Sequence, residues 1–318
     1  MSQFRCLGAV IVLLALGCSS AWTQGQRAIR IVNPLPPGGA ADIAGRLLAE
    51  QIGRMQGVSV VVENKPGAGT IIGTEAVWRA AADGNILLLT ANAFVINRIV
   101  RKINYDPLGF EPVCLLVRAP HVLTVNSAAP YHTFADYIAA ARAQPGVLTN
   151  GSVGPASAQH ISLEMLKRGA NVDVRFIPFN GNAPAVNALL GGHVTSVIVN
   201  YPEVAEHVKG GKLRALATTL RERIDEIPDV PTVAESGLAE FQSETWIGLV
   251  APPKTPRAVV AQLASWTEAA LQVPEVNAKL RGAGLLPGGP CGADFAAYLR
   301  KQHDDYDSII RAANIKVE

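Results

Sequence analysis

The sequence predicts an α/β protein of two lobes joined by two crossing strands. Short apolar runs alternate with amphipathic helical stretches, the order that builds parallel sheets with helices on their faces. Two long extended stretches, 111–125 and 240–250, interrupt this alternation, and we expect them to cross between the lobes. The chain has 318 residues, more than one hydrophobic core usually serves, which favours two domains.

The first lobe is predicted to begin with a βαβαβ unit. Residues 29–32 form a short apolar run, and apolar side chains then recur on one side of a helix at Ile43, Leu47 and Ile52. The predicted order is strand 29–32, helix 41–53, strand 58–62, helix 70–82 and strand 86–90.

The same alternation resumes after the first extended stretch and builds the second lobe. Its predicted order is helix 134–143, strand 147–150, helix 158–168, strand 175–179, helix 183–190, strand 194–200, helix 204–208 and strand 213–218. A proline-rich loop then leads to strand 245–253 and to helices 256–271, 274–281 and 294–313. The pattern assigns residues 22–120 and 246–318 to lobe one and 121–245 to lobe two.

Residues 1–21 have the pattern of a secretory signal peptide. Arg5 precedes an apolar run over 7–17, and small residues up to Ala21 form a cleavage site. The run is too short to span a bilayer, which takes about 20 apolar residues. The residues around Cys18 resemble a lipid-attachment site less closely, so we expect cleavage to a soluble form rather than lipid anchoring.

Composition argues against several classes of protein. The net charge is +2 and the basic residues are scattered, so no nucleic-acid partner is expected. Beyond the signal segment the cysteines are Cys114 and Cys291, which an oxidising compartment would allow to pair, although two separate thiols fit the sequence equally well. No C-x-x-C or other metal-ligand spacing occurs, so we expect neither a metal nor a cofactor.

The pair Gly38-Gly39 lies between the first strand and the first helix. Glycine permits close backbone approaches that a Cβ forbids, and a glycine pair before a helix leaves the first helical N–H groups exposed. Those donors carry about half an elementary positive charge from the helix dipole, so an anion can bind there without Lys or Arg. A plain strand-to-helix turn is the alternative for this stretch taken alone.

A second loop of the same kind strengthens the anion hypothesis. It follows a strand, precedes a helix and contains Gly151, Ser152, Gly154 and Ser157. In a two-lobed protein this loop and the first one lie at the same strand ends, so two helix N-termini would line one cleft. A third loop, 178–184, has the same layout.

Enzyme motifs are weaker. The glycines of 67–73 resemble a dinucleotide fingerprint, but they belong to the second strand–helix unit and lack an acidic ribose partner. No G-x-S-x-G nucleophile elbow occurs. Ser152 and His160 leave an exported serine hydrolase as the alternative function, although a capping role for His160 is the commoner one. Asp42 lies in a first helical turn, where a carboxylate suits the dipole; the alternative is a role in orienting the loop or the ligand.

Together these stretches resemble the tripartite tricarboxylate transporter receptor family, the extracytoplasmic solute-binding proteins also called Bug proteins. The resemblance covers nearly the whole chain after the signal segment and rests on segments in the family's order. They are PLPPGGAAD, VVENKPGAGTIIGTEAV, AADGNILLL, NGSVGPASAQH, IPFNGNAPAVNALLGG, GKLRALATT, IPDVPTVAESG and WIGLVAPPKTP.

The resemblance implies a type II periplasmic binding protein fold, the two-lobed Venus flytrap. It implies capture of a small carboxylate, which is passed to a membrane permease with a large and a small subunit. We expect a monomer in the periplasm that is not an enzyme. It also implies that backbone amides of the two glycine loops hold the carboxylate. The predicted ligand-binding residues are Pro37, Gly38, Gly39, Ala40, Ala41, Asp42, Ser152, Val153, Gly154, Ser157, His160, Phe179 and Asn180.

The sequence departs from the family pattern where side chains would meet a ligand. The family usually has Thr at Ala41, Gly at Ala156 and Tyr at Phe179, so two hydroxyl groups are missing. We therefore expect a less polar cleft and a ligand with one carboxylate and an apolar or aromatic body, rather than three carboxylates. A receptor that reports to a signalling partner instead of a permease is a further alternative.

Overall fold

The computed structural model describes residues 28–316, so the predicted signal peptide 1–21 and Cys18 lie outside the described residues. The first βαβαβ unit consists of β1 Ile29–Asn33, α1 Ala40–Gln56, β2 Val60–Asn64, α2 Ile71–Trp78 and β3 Ile86–Ala91. Helix α3, Ala93–Val100, follows and leads to the long strand β4, Glu111–Asn126. None of the helices in this part of the chain is both long and apolar enough to cross a membrane.

The next elements belong to the second lobe. They are α4 Phe134–Ala143, β5 Thr149–Val153, α5 Ala158–Ala170, β6 Arg175–Phe179, α6 Asn182–Leu190, β7 Ser196–Asn200, α7 Ala205–Lys209 and β8 Leu213–Thr218. The chain then returns to the first lobe. The returning elements are β9 Glu244–Ala251, α8 Arg257–Gln272, α9 Pro274–Gly282, β10 Leu286–Pro287 and α10 Gly292–Ala312.

The strands form two mixed sheets that share β4. The first sheet has the order β2–β1–β3–β9–β4–β10. Strand β1 is parallel to β2 and β3, β9 is antiparallel to β3 and β4, and β10 is antiparallel to β4. The second sheet has the order β8–β4–β7–β5–β6, with β5 parallel to both of its neighbours. The structure therefore has the predicted α/β architecture of two lobes, each built on its own sheet.

Strand β4 passes from one sheet into the other. Its first part pairs with β9 up to Pro120 opposite Glu244, and from His121 onward it pairs with β7. Its near-continuous apolar sequence suits a strand that is covered on both faces. Since the strand changes partners here, we propose that the lobes divide at these positions, close to the predicted 120/121 and 245/246.

Helices cover both faces of each sheet and bury four apolar clusters. Leu48 of α1 and Phe94 of α3 lie on opposite faces of the first sheet, and both are almost fully buried. Tyr137 and Leu189 occupy the corresponding positions in the second lobe. Burying a large side chain contributes about 1.5–3 kcal/mol, so each lobe has a core of its own.

A disulfide joins Cys114 of β4 to Cys291, the residue before α10. The sequence left this pairing open; the structure places the two Cα atoms 4.0 Å apart. Because 177 residues separate the two cysteines, the bond ties the C-terminal helix to the middle of the first lobe and closes a very long loop.

Three differences from the predicted elements stand out. Helix α3 was not predicted, because β-branched residues such as Val95 and Ile96 disfavour isolated helices. In the folded protein both side chains are buried, and this burial stabilises the helix. Helix α2 ends at Trp78 rather than near 82. Strand β5 continues beyond the predicted end at 150, because Ser152 and Val153 still pair with β6.

The glycines of the 67–73 loop have a packing role. A Cβ on Gly73 would lie 2.8 Å from the carbonyl oxygen of Lys65 and from Pro34, so the helix can approach the end of β1 only with glycine there. Gly67 and Gly69 have φ of +140° and +61°, which favours glycine at both positions.

Replacing both Cys114 and Cys291 by alanine should lower the free energy of unfolding by about 2–4 kcal/mol, because the long loop is no longer closed in the unfolded chain. Urea denaturation at neutral pH measures the change. Ligand affinity should stay the same, since neither cysteine lines the cleft described below. An unchanged denaturation midpoint would show that the disulfide does not constrain the unfolded chain.

Candidate functional site

A cleft of about 730 Å³ opens between the lobes at the carboxyl ends of β1, β3, β5, β6 and β7. Ligands of open α/β sheets bind in this position. The first lobe contributes Leu35, Pro36, Pro37, Gly39, Ala40, Ala41, Ala91, Asn92, Ala93, Ile96, Thr245 and Ile247. The second lobe contributes Val153, Ala156, Ser157, Ala158, Gln159, Asn180, Gly181, Asn182 and Asn200. None of these lining residues carries a charged side chain.

The first glycine loop presents unpaired backbone donors to the cleft. Gly39 is the N-cap of α1 with φ −83° and ψ 177°, and no side chain caps the helix start. The N–H groups of Gly39, Ala40 and Ala41 find no acceptor within residues 28–316. Gly38 has φ +84°, a conformation that glycine adopts without strain. The loop thus offers several N–H groups at the positive end of a 17-residue helix.

Asp42 lies beneath this loop and holds its shape. Its carboxylate accepts hydrogen bonds from the Gly38 N–H at 3.0 Å, from Arg46 Nε at 2.9 Å and from Asn64 Nδ2 at 2.9 Å. Asn64 also donates to the carbonyl oxygen of Leu35 at 3.3 Å. Arg46 is the leading cause that holds the pKa of the Asp42 carboxyl far below its usual value. The charge of Asp42 is therefore used inside the scaffold of the loop, and Asp42 is not among the lining residues.

The second loop is organised around the start of α5. Ser157 is the N-cap: its Oγ accepts from the His160 N–H at 3.1 Å and donates to the Val153 carbonyl at 3.0 Å. The Ala156 N–H donates to Nδ1 of His160 at 3.2 Å. The next two N–H groups, of Ala158 and Gln159, have no acceptor in the described part of the chain. They lie in the wall of the same cleft as the first loop.

His160 and Ser152 do not form a catalytic pair. The His160 ring stacks on Phe176 with centroids 3.8 Å apart, and burial lowers its pKa to about 4, so the ring is neutral at neutral pH. Ser152 lies in β5, fully buried, and its Oγ has no hydrogen-bond partner among residues 28–316. A nucleophile needs a base within about 3 Å, so the arrangement does not support the hydrolase alternative.

The predicted site residues therefore fall into two groups. The residues that line the cleft are Pro37, Gly39, Ala40, Ala41, Val153, Ser157 and Asn180. The residues that lie outside its lining are Gly38, Asp42, Ser152, Gly154, His160 and Phe179. Ser152 was expected in a loop, but the longer β5 places it inside the second sheet. Phe179, the last residue of β6, lies over Gly151, where its ring would be 3.0 Å from an added Cβ.

Sequence reasoning missed the N-terminus of α3 as part of the cleft. Asn92 and Ala93 line the cleft directly after β3, where α3 begins without a side-chain cap. Asn92 also anchors the crossing strand: its Nδ2 donates to the Glu244 carbonyl at 2.9 Å and to the Tyr306 hydroxyl at 2.7 Å. The sequence feature that could have indicated this part of the site is Asn92 itself. It directly follows a buried strand, as the two glycine loops also do.

Polar side chains at the boundary of the lobes were also missed. Gln159 Nε2 lies 3.4 Å from Thr245 Oγ1 and 3.5 Å from Asn200 Oδ1, so residues of both lobes meet here. Thr245 Oγ1 is also 3.1 Å from Nε2 of His121. His121 is fully buried, which lowers its pKa to about 3 and leaves it neutral.

The chain is similar in sequence to proteins of one family. The profile of the tripartite tricarboxylate transporter family receptor matches residues 44–315. BugT of Bordetella pertussis is 35% identical over 303 residues, which covers 94% of this chain and 93% of BugT. A protein of the gbd 5′ region of Cupriavidus necator is 36% identical over 286 residues, which covers 88% of this chain and 87% of that protein.

Solved structures share the fold. A TctC solute-binding protein from Polaromonas superposes with a TM-score of 0.82 at 28% identity, covering 91% of this chain and all of that one. Rpa4515 of R. palustris, solved with adipate, gives 0.78 at 29% identity and covers 93% and 99% of the two chains. MatC from Rhodopseudomonas palustris, solved with bound malate, gives 0.73 at 28% identity and covers 89% and 98%.

Replacing Asp42 by asparagine should lower the free energy of unfolding by about 1–2 kcal/mol at neutral pH, because charged hydrogen bonds to Gly38 and Arg46 are lost. The folded-state pKa of Asp42 is depressed, so its contribution is complete above its unfolded value of about 4 and is lost as the pH falls below it. Urea denaturation from pH 7 to pH 3 should therefore show the difference between wild type and D42N shrinking.

Glu50→Gln is the matched control for this measurement. Glu50 lies on the same helix and pairs with Arg54 at 2.7 Å, but both side chains are more than half exposed. Such a surface pair contributes less than about 1 kcal/mol. A D42N difference that stays constant with pH, or that equals the E50Q difference, would contradict the role given to Asp42.

Proposed function

The chain belongs to the tripartite tricarboxylate transporter receptor family, and we propose that its cleft binds a small carboxylate with an apolar or aromatic body. The observation that carries this proposal is the set of unpaired N–H groups where α1, α3 and α5 begin. All three helix starts line a cleft without charged side chains. Backbone dipoles would therefore hold the anion, as they do at other helix N-termini.

The hydrogen bonds supply part of the binding energy. A hydrogen bond to a charged group contributes about 1.5–3 kcal/mol, so three or four of them contribute about 4.5–12 kcal/mol. Micromolar binding needs roughly 8 kcal/mol beyond the cost of ordering the ligand, so burial of apolar surface has to supply the rest. Apolar residues such as Leu35, Ile96 and Ile247 line the remaining wall and would bury the body of the ligand.

The number of carboxylates on the ligand follows from the polarity of the cleft. Ala41 and Ala156 line it with methyl groups, and Ala156 has φ +58°, a backbone conformation that glycine adopts more readily. The relatives solved with adipate and malate hold dicarboxylates, which supports a carboxylate as the ligand class. For this chain we propose one carboxylate, since the cleft holds no cationic side chain to neutralise several.

The partners follow from the family. A receptor of a tripartite transporter works with membrane components, and we propose that this monomer passes its ligand to the large and small permease subunits. The proposed place of action is the periplasm, reached by export through the signal segment 1–21. Contacts of the ligand to both lobes would favour the closed conformation of the protein. The permease could then distinguish the ligand-bound receptor from the empty one by this conformation.

Calorimetric titration tests the ligand class. We expect benzoate, phenylacetate or a medium-chain fatty acid to bind with a Kd of about 10 μM or tighter, because the apolar wall is buried together with the anion. Citrate should bind at least about tenfold more weakly. Tight citrate binding without any response to the monocarboxylates would contradict the proposal.

Replacing Gly39 by valine should abolish binding while the protein stays folded. An added Cβ meets no atom within 4 Å, and a φ of −83° suits any residue, so the side chain would project into open space beside the free N–H groups. Gly282→Val is the matched control, because Gly282 also has open surroundings but lies outside the cleft. Calorimetry gives the affinity and circular dichroism the fold. Full affinity in G39V would refute the site.

A further inference from the structure

One carboxylate lies directly behind the second-lobe wall of the cleft. Glu203 follows β7, and its Oε1 accepts a hydrogen bond from Asn182 Nδ2 at 2.8 Å and another from Asn200 Nδ2 at 2.9 Å. Asn182 and Asn200 both line the cleft, whereas Glu203 itself is not among the lining residues. No ion pair within residues 28–316 involves Glu203, so its charge is not neutralised by a cation.

These bonds determine which groups the wall can offer. An asparagine side chain has one pair of N–H donors and one acceptor oxygen. Because both amides donate to Glu203, their nitrogens are turned toward the carboxylate instead of toward a ligand. Asn200 Oδ1 remains as an acceptor and faces Gln159 Nε2 at a long 3.5 Å. The wall therefore offers Asn200 Oδ1 as an acceptor beside one negative charge, while Asn182 Oδ1 is buried without a hydrogen-bond partner in the described part of the chain.

Glu203 also affects the electrostatics at the start of a fourth helix, α6. Helix α6 begins at Asn182, and its N-terminus would attract an anion as those of α1, α3 and α5 do. Glu203 already supplies a carboxylate to the first residue of that helix. Burial raises the pKa of the Glu203 carboxyl, and the hydrogen bonds donated by the side chains of Asn200 and Asn182 lower it. Glu203 thus places a carboxylate beside one of the four helix starts, whereas the other three have unpaired N–H groups and no carboxylate among the lining residues.

We propose that Glu203, through Asn182 and Asn200, is a specificity-determining residue that selects a hydrogen-bond donor at the far end of the ligand. The favoured ligand carries a carboxylate at one end and a hydroxyl or ammonium group at the other. A second carboxylate would be repelled by the charge of Glu203 and is disfavoured. This inference rests on the proposed carboxylate-binding function and deepens it.

A series of six-carbon acids tests the inference, because only the distal group changes. The probes are 6-hydroxyhexanoate, 6-aminohexanoate, hexanoate and adipate, each titrated calorimetrically into the protein without its predicted signal segment. We expect the hydroxy and amino acids to bind about tenfold or more tightly than adipate, with hexanoate in between. Adipate binding as tightly as 6-hydroxyhexanoate would overturn the proposal.

The variant Glu203→Gln provides a second test of the inference. Glutamine removes the charge and brings a donor of its own, so the amides of Asn182 and Asn200 are no longer held by a carboxylate. Adipate should bind E203Q about tenfold more tightly than wild type, and 6-aminohexanoate about tenfold more weakly. Glu206→Gln is the matched control: Glu206 is an exposed neighbour on α7 that pairs with Lys209 at 3.4 Å and lies outside the cleft.

Hexanoate separates this inference from the function on which it rests. The methyl end of hexanoate neither carries a charge nor forms hydrogen bonds with Glu203 or the asparagines. Hexanoate should therefore bind wild type, E203Q and E206Q with the same affinity. If none of the four acids binds and other monocarboxylates also fail, the proposed function falls. If hexanoate binds all three proteins but the ratio of adipate to 6-aminohexanoate affinity is unchanged in E203Q, only the role of Glu203 is refuted.

Discussion

The site depends on backbone N–H groups that are left without partners where helices begin beside the cleft. In most proteins such groups are satisfied by side-chain caps, and α4 shows this with the reciprocal bonds of Thr133 and Asp136. The N-cap residue of α1 is a glycine, so no side chain caps this helix. Unpaired donors are costly when water is excluded, so a cleft of this kind gains most from an anion that replaces the water.

Keeping these donors in place requires a rigid frame behind them. Below the first loop, Asp42 joins the loop to α1 and, through Asn64, to the end of β2. Below the α3 start, Asn92 joins the cleft to the crossing strand at Glu244 and to α10 at Tyr306. The side chains of Asp42 and Asn92 thus fix the backbone, and the backbone N–H groups beside the cleft stay free for the proposed ligand.

Sequence patterns predicted the architecture well, because alternating apolar runs reflect burial directly. They also pointed to the glycine loops, because two such loops each follow a strand and precede a helix in corresponding parts of the two lobes. They failed where burial overrides local preference: α3 is rich in β-branched residues, and β5 runs on through Ser152. Hydrogen bonds between residues far apart in the chain, such as those of Asn92 with Tyr306, leave no periodic trace in the sequence.

The register of the crossing strands has a consequence for how such receptors diversify. Pro120 lies opposite Glu244, so the chain leaves the first sheet and re-enters it at neighbouring positions. Everything between these two points is in effect an inserted cassette, which a compact domain tolerates when the ends of the insert are close. Exchanging the cassette with that of a relative would replace Glu203 and its asparagines in one step. The glycine loop of α1 would stay and the start of α5 would be exchanged, so a recombined receptor would keep the first-lobe donors proposed for the carboxylate while the second-lobe wall changed.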